Sequence, residues 1–446
     1  MRVINTKEPI ILLIGDILVL CMSLWVTLLV RFQQLPSLEL WNIHVIPFSI
    51  IFALWIIVFY LAGLYEKHTA ILKNKLPSIL FNAHIISSVF AAIFFYVIPF
   101  FSITPKTILV IFIVASFLFL YMFRIFVFSK IFTVKKENSI LIGEGDEVVQ
   151  LYTEVNMNKN YALHFVSLIS PQSFSESDFE LKLNHMIEEF DVSVIVLDLK
   201  NKNIEPFLPK LYALLLENIK FIDLYQVYED VFDKVPVSLI QYSWFIEHIS
   251  VAQKVIYDIL KRTVDIVVAL IGGSISLLVY PFVIIGIKIE SPGPVFLHQT
   301  RVGKNNKPIV MYKFRSMYKD ENGSWIGESK NKITKFGKFL RKSSIDEFPQ
   351  FWNILKGDIS LIGPRPDMTG LEARLSQEIP YYSVRYVVKP GLSGWAQTKQ
   401  DVIPNTIEEN KERLAYDLYY IKNRSLFLDI KIILKTIKTL LTRGGR

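Results

Sequence analysis

The chain is nearly without cysteine: among 446 residues Cys21 is the only one, and it lies in an apolar run. That excludes a disulfide framework and a cysteine metal site. Charge is scarce too, 20% of residues against 52% hydrophobic, a mixture that indicates membrane segments joined to soluble parts. The charge present leans basic, formally +8, which suits contact with anionic lipid and anionic substrates. The basic residues are scattered and form no nucleic-acid motif, so no nucleic-acid partner is expected. The first 30 residues show no cleavage site, and the first apolar run reads as retained.

Four apolar runs fill residues 1–136, at about 9–30, 44–64, 79–101 and 107–128. Each is long enough to cross a hydrocarbon core of about 30 Å at about 1.5 Å per residue. Arg2 and Lys7 precede the first run; Lys67, Lys73 and Lys75 separate the second and third; Lys130, Lys135 and Lys136 follow the fourth. The other two loops carry only Arg31 and Lys106. The positive-inside rule then puts both ends of this four-helix membrane domain in the cytoplasm. Asp16 and Arg124 interrupt the first and fourth runs. At that depth ionisable groups pair or snorkel, and either role is structural.

From residue 137 to 253 the pattern changes. Apolar strands fit at 138–142, 164–169, 193–198 and 219–223, with helical stretches between, which predicts a parallel α/β layer of Rossmann-like outline. Residues 224–253 read as a linker with mixed helix. Gly143-Glu144-Gly145 follows the first strand as a dinucleotide loop would, but the third glycine position is Val148. The second strand ends at Ile169-Ser170-Pro171, with no acid for a ribose. A scaffold without cofactor is the expectation.

The densest stretch is Lys335–Pro366. It sets Asp346 and Glu347 between Arg341 and Arg365, amid glycine, proline and aromatic residues. Ser344-Ile345-Asp346-Glu347 fits S-x-x-E, a capping box, with Phe348, Phe351, Trp352 and Leu355 following at helical spacing. A capping role is compatible with a chemical one, because a helix start stabilises carboxylate and attracts phosphate. An anionic pair among fixed cations suggests chemistry on a phosphorylated substrate with a divalent metal.

Around this stretch stand Lys261-Arg262-x-x-Asp265, Ser291-Pro292-Gly293-Pro294, Gln299-x-Arg301-x-Gly303 and Lys313-Phe314-Arg315-Ser316-Met317. After it come Gly363-Pro364-Arg365-Pro366, Lys389-Pro390-Gly391-Leu392-Ser393-Gly394-Trp395 and Asp417-Leu418-Tyr419-Tyr420. In this order they resemble the bacterial sugar transferase family, the polyprenyl-phosphate hexose-1-phosphate transferases, over roughly residues 254–440. The resemblance implies a UDP-sugar donor, a polyprenyl (undecaprenyl) phosphate acceptor, Mg²⁺, and a catalytic domain over 254–446. It also implies a Rossmann-like domain between membrane helices and catalytic part in the larger members, in the bacterial inner membrane, with the catalytic domain on the cytoplasmic face.

Carried over by motif, Asp346 is the nucleophile and Glu347 the metal ligand. Arg341 and Arg365 hold phosphate oxygens, and Lys313 and Arg315 are further anion contacts. The apolar segment at about 263–287 is expected to enter the membrane and return, broken at Pro281, since one more crossing would put the catalytic part outside. The last helix, about 426–441, reads as basic and amphipathic, with Ile430, Ile433, Leu434, Ile437 and Leu441 on one face, fitting contact with membrane lipid. A second copy in a homodimer is a further expected partner. Two other classes stand beside this one: a membrane-anchored NAD-dependent nucleotide-sugar dehydratase or epimerase, and a non-enzymatic assembly scaffold. The broken glycine loop and the lack of a Tyr-x-x-x-Lys pair in 138–223 oppose the first; the intact acid pair opposes the second.

Overall fold

The structure, a computed structural model, describes residues 8–65, 76–97, 106–127, 136–158, 161–173, 176–199, 201–249, 254–318, 333–400 and 404–443. The chain divides into two compact units, Met1–Val231 and Phe232–Arg446. Of the charges that orient the membrane helices, Arg2, Lys7, Lys67, Lys73, Lys75, Lys130 and Lys135 lie outside the described residues.

The first unit opens with α1 (Glu8–Phe32), α2 (Leu38–Leu61), α3 (Leu76–Val97) and α4 (Lys106–Met122). All four are long and apolar enough to cross a membrane, as the runs predict. α1 packs on α2 and α4, and α3 on α2 and α4, around the buried rings of Phe48, Trp55 and Phe112. α2 starts earlier than its apolar run because Ser37 caps it, the hydroxyl accepting from the Leu40 N–H at 3.2 Å. α4 passes into a π-turn, Phe123–Val127, that carries Arg124. The Arg124 guanidinium donates to both carboxylate oxygens of Asp16, and the Tyr65 hydroxyl donates to Asp16 at 2.6 Å. A lone charge at this depth is costly; pairing removes most of that cost and ties the two helices together.

The same unit continues into β1 (Glu137–Ile142), α5 (Asp146–Met157), β2 (Leu163–Ile169), α6 (Glu176–Phe190), β3 (Val194–Leu197), α7 (Leu208–Ala213) and β4 (Lys220–Asp223). The strands form one parallel sheet in the order β2-β1-β3-β4. All four residues of β3 are fully buried, the continuous apolar run that a sheet covered on both faces requires. After β1, the Glu144 carboxylate reaches across to β2 and accepts from the Ser170 hydroxyl and the Gln172 N–H. Asp146 and Glu147 fill the first turn of α5. Three acids thus stand where a dinucleotide phosphate needs free N–H groups and no competing negative charge.

α8 (Leu224–Phe232) and α9 (Tyr242–His248) fall in the stretch read as a linker. From Phe232 onward that stretch belongs to the second unit. The Trp395 indole N–H donates to the Asp233 carbonyl at 2.9 Å, Lys399 to the Asp233 carboxylate at 2.9 Å, and the Val235 N–H to the Ala415 carbonyl at 3.2 Å.

α10 (Val255–Glu290) is a single helix of 36 residues, about 54 Å long at 1.5 Å per residue. It does not end at Pro281, which lies inside it and deprives the preceding turn of one amide donor. One face rests on the second unit from end to end. Tyr257 and Lys261 donate to Asp429, Arg262 to the Ile354 and Leu355 carbonyls, and the Leu361 N–H to Asp265. Val283 and Ile287 pack with Phe314 and Leu340, and Glu290 caps the next helix at the Lys335 and Phe336 N–H groups. The other face exposes Ile256, Leu260, Val267, Leu270, Leu278 and Phe282.

Beyond it, β5 (Phe296–Val302) and β6 (Pro308–Phe314) form an antiparallel hairpin. Then follow α11 (Lys335–Lys342), α12 (Gln350–Lys356), β7 (Ser360–Ile362), α13 (Thr369–Glu378), β8 (Gly391–Ser393), α14 (Trp395–Lys399), α15 (Ile407–Asn423) and α16 (Leu426–Arg443). β7 pairs with β8 in parallel. α16 does not turn its spacing-derived apolar face inward. Ile432 is fully buried while Ile430 and Ile437 are exposed, and Lys431 and Lys435 stand over the Trp395 ring at 4.9 and 5.4 Å. Cation–π attraction to a buried indole offsets the cost of drawing the lysines in.

Candidate active site

Three short elements assemble the site. β6 brings Lys313. α11, capped by the Thr334 hydroxyl on the Gly337 N–H at 2.8 Å, brings Arg341 in its last turn. Gly337 is required there: a Cβ would stand 2.1 Å from the Ser316 carbonyl oxygen. Between α11 and α12 the chain turns through Ser344, at φ 57°, into a 3₁₀ turn, Ile345–Glu347. The predicted capping box is not made, because Ser344 in the left-handed region gives no side-chain cap. Pro349 then separates the turn from α12. Asp346 and Glu347 therefore sit on a tight turn between helices, not in the first turn of one.

Asn353 fixes α12 to the hairpin. Its Oδ1 accepts from the Tyr312 N–H at 3.1 Å and its Nδ2 donates to the Val310 carbonyl at 2.6 Å. With that docking, Lys313 Nζ donates to Glu347 Oε1 at 2.7 Å, and Arg365 Nη2 donates to the same oxygen at 3.5 Å. Arg341 Nε donates to the Ser316 hydroxyl at 2.9 Å. Asp346 is buried, at 9% exposure. Burial first, and the charge of Glu347 second, push its carboxyl up to about 6, against the opposing influence of Lys313 and Arg341. Burial pushes Glu347 upward too, but Lys313 and Arg365 outweigh it and hold that carboxyl down at about 2. Adjacent acids held this far apart have different roles: one firmly anionic, one poised near neutrality.

Arg365 is clamped from behind. Its carbonyl accepts from Arg385 Nη2 at 3.0 Å and Arg413 Nη2 at 2.7 Å. Both guanidiniums also bind the buried Asp367, which takes the Tyr382 and Tyr386 hydroxyls at 2.8 Å each. The Arg365 side chain remains 41% exposed, directed by a buried frame.

Asp346, Glu347, Lys313, Arg341 and Arg365 are thus gathered, with one of the three Lys313 N–H donors on Glu347. Arg315 is not gathered. It is 2% exposed and its guanidinium donates to the Pro292, Ser291 and Ile287 carbonyls, closing the C-terminal end of α10. The anion contact assigned to it by motif is replaced by this structural one: β6 ends at Phe314, so Arg315 lies past the strand and is not held on the Lys313 face that strand alternation would give it. Arg301 and Gln350, not nominated from the sequence, line the same cleft as Lys313, Glu347, Arg365 and Leu392. For Arg301 the Gln-x-Arg-x-Gly motif was an available signal; for Gln350 there was none beyond its place four residues after Asp346.

Among the described residues no group of three or more His, Cys, Asp or Glu side chains could hold a metal. The two carboxylates fit the other mode of Mg²⁺ binding, in which one or two acids share the ion with substrate phosphates.

Five helices among the described residues are long and apolar enough to cross a membrane, consistent with a multi-pass membrane protein. The chain belongs to the bacterial sugar transferase family, whose model matches residues 256–443. It is 43% identical over 193 residues to a UDP-N-acetylgalactosamine-undecaprenyl-phosphate N-acetylgalactosaminephosphotransferase of Aeromonas hydrophila, covering 43% of this chain and 45% of that one. It is 38% identical over 193 residues to a UDP-glucose:undecaprenyl-phosphate glucose-1-phosphate transferase of Caulobacter vibrioides, covering 42% of this chain and 72% of that one. An exopolysaccharide production protein of Rhizobium leguminosarum bv. phaseoli is 41% identical over 197 residues, 42% of this chain and 97% of the relative. The match thus spans less than half of the Aeromonas relative and most of the shorter two.

Proposed function

We propose that this protein transfers a sugar-1-phosphate from a UDP-sugar to undecaprenyl phosphate and releases UMP, the opening step of a surface polysaccharide. The observation that carries the reading is the buried Asp346 next to Glu347, the acid of the pair that lines a cleft with Arg301, Lys313 and Arg365. Relatives named for this reaction supply the substrate class. Asp346 attacks the phosphorus that bears the sugar: an Asp Oδ–P bond forms, the P–O bond to UMP breaks, and UMP leaves as the anion. An oxygen of the acceptor phosphate then attacks the same phosphorus and frees the Asp346 carboxylate. Two displacements at phosphorus leave the anomeric carbon untouched. Arg365 and Arg341 steady phosphoryl oxygens as charge develops. Mg²⁺, held by Glu347 and donor phosphates, would neutralise charge on the diphosphate.

The test of the reading is UMP release from a panel of UDP-sugars, with and without undecaprenyl phosphate. Sustained release that requires the acceptor, for at least one sugar, is the expected result; no release with any sugar would refute it.

The acidic side of the pH profile is a second expected result. A nucleophile must be ionised, so kcat/KM for the donor should rise with pH through about 6, the Asp346 value. Lys313→Met removes a charge that favours ionised Asp346 and should move that limb to higher pH. A limb near 4, or one that Lys313→Met leaves in place, would rule out Asp346 as the titrating group.

Topology follows from α10. Contacts along its length to one folded unit support a helix that does not carry the rest of that unit across the bilayer. On this reading the helix keeps its apolar face in the cytoplasmic leaflet of the inner membrane, and any bend that returns it would fall at Pro281, where one amide donor is missing. In a Cys21→Ser background, single cysteines at the exposed positions Glu217 and Lys342 should both react from the cytoplasmic side alone. Periplasmic labelling of Lys342→Cys would sink the arrangement.

A further inference from the structure

The cleft contains a polar group that the folded protein leaves unused. Gln350 is 1% exposed, and its carboxamide Nε2 is buried with no acceptor among the described residues. It lines the same cleft as Arg301, Lys313, Glu347, Arg365 and Leu392. Buried amides ordinarily find a partner. Asn353, one turn further along α12, shows the usual outcome: its Nδ2 donates to the Val310 carbonyl and to Asp358, and its Oδ1 accepts from the Tyr312 N–H. Gln350 has the same chemistry on the same helix and no such duty.

We propose that the Gln350 Nε2 donates to a phosphoryl oxygen of the donor diphosphate, making Gln350 a substrate-binding residue of the transferase. The inference rests on the function proposed above and names a contact within it. The acceptor must come from the ligand. Glu347, the acid that lines the cleft, already receives Lys313 and Arg365. The remaining lining cation, Arg301, favours an anionic oxygen over a sugar hydroxyl there. A neutral donor has a further merit in a cleft lined by one carboxylate and three cations. It holds a phosphoryl oxygen without changing the charge that sets Asp346 and Glu347 apart. Because the amide is unpaired before substrate arrives, its hydrogen bond is formed only in the complex, where its full strength is available to binding or transfer.

The consequence is an opposition between stability and activity. Gln350→Met keeps the length of the side chain and removes a buried group that bonds to nothing in the free protein. The full-length variant should melt at the wild-type temperature or above it, while kcat/KM for UMP release falls about 30- to 300-fold. Gln350→Glu, which sets a carboxylate against phosphate, should fall further. The loss in Gln350→Met should be the same for every UDP-sugar the wild type accepts. Calorimetry with inorganic pyrophosphate gives a readout apart from turnover, with an expected tenfold weaker Kd in Gln350→Met. Wild-type kcat/KM in Gln350→Met, a melting temperature that falls along with activity, or a loss that depends on the sugar would each overturn the assignment. If the wild type releases no UMP, the transferase reading fails by itself. Pyrophosphate binding that is equal in the two proteins overturns the phosphoryl contact whatever the wild type does.

Discussion

Asp346→Asn should abolish turnover, by about 10³-fold or more, because Glu347, the other carboxylate on the turn, is held by Lys313 and Arg365. Wild-type protein given UDP-sugar without acceptor should release UMP in an amount equal to the enzyme and carry a phosphosugar on the peptide containing Asp346; the variant should do neither. Turnover near the wild-type rate would end the nucleophile assignment. The same substitution should stabilise the fold, with a pH dependence of known sign. The Asp346 carboxyl is raised from its ordinary 3.8 to about 6 in the folded protein, so ionising it there costs stability that grows as pH rises from 3.8 to 6. Linkage puts that cost at about 3 kcal/mol above pH 6 and near zero below pH 4. Asparagine removes it. The melting temperature of Asp346→Asn should exceed wild type at pH 7.5, and the two should converge at pH 4. A variant less stable than wild type at pH 7.5 would mean that the ionised carboxylate is not strained.

The second large effect is Asp367→Asn. Asp367 balances Arg385 and Arg413 where water is excluded, at 3% exposure, and those arginines hold the Arg365 carbonyl. Removing one partner from a buried ionic network costs about 3–5 kcal/mol, because Asp417, on Arg385 at 2.6 Å, is then left to balance two buried guanidiniums. The burial that raises the Asp367 carboxyl is outweighed by Arg385 and Arg413, which hold it well below the usual carboxylate range. Its stabilising contribution is therefore present above pH 4 and lost as pH falls below that value. Asp367→Asn should unfold at markedly lower temperature at pH 7.5, and whatever stays folded should bind donor more weakly through a displaced Arg365. A melting temperature within a degree or two of wild type would show that the arginines find other partners. Glu in place of Asp keeps the charge and should recover part of the loss.

Much of this was legible before any tertiary structure. Long apolar runs name membrane helices directly, since the bilayer fixes their length and composition. For Asp16 and Arg124 the sequence left pairing and snorkelling both open, and only the packing of α1 against α4 showed the pair. The parallel strands announced themselves as continuous apolar runs such as Val194–Leu197. Motif order carried the acid pair and its arginines.

What the sequence by itself determined, then, were quantities set by local period and by composition: spans, strands and the identity of Asp346, Glu347, Arg341 and Arg365. Only the tertiary structure decided how each charge is used. The end of β6 at Phe314 left Lys313 on the strand, bonded to Glu347, and released Arg315 to the carbonyls that end α10. A left-handed Ser344 turned a capping signature into a 3₁₀ turn. The buried indole of Trp395 drew the lysines of α16 inward against their helical face. Docking of α12 on the hairpin satisfied Asn353 and left Gln350 facing the cleft. The physical reason is common to all four. Partners in a low-dielectric interior come from residues distant along the chain, and the charge–charge and hydrogen-bond terms that assign each side chain exist only once those residues are packed together.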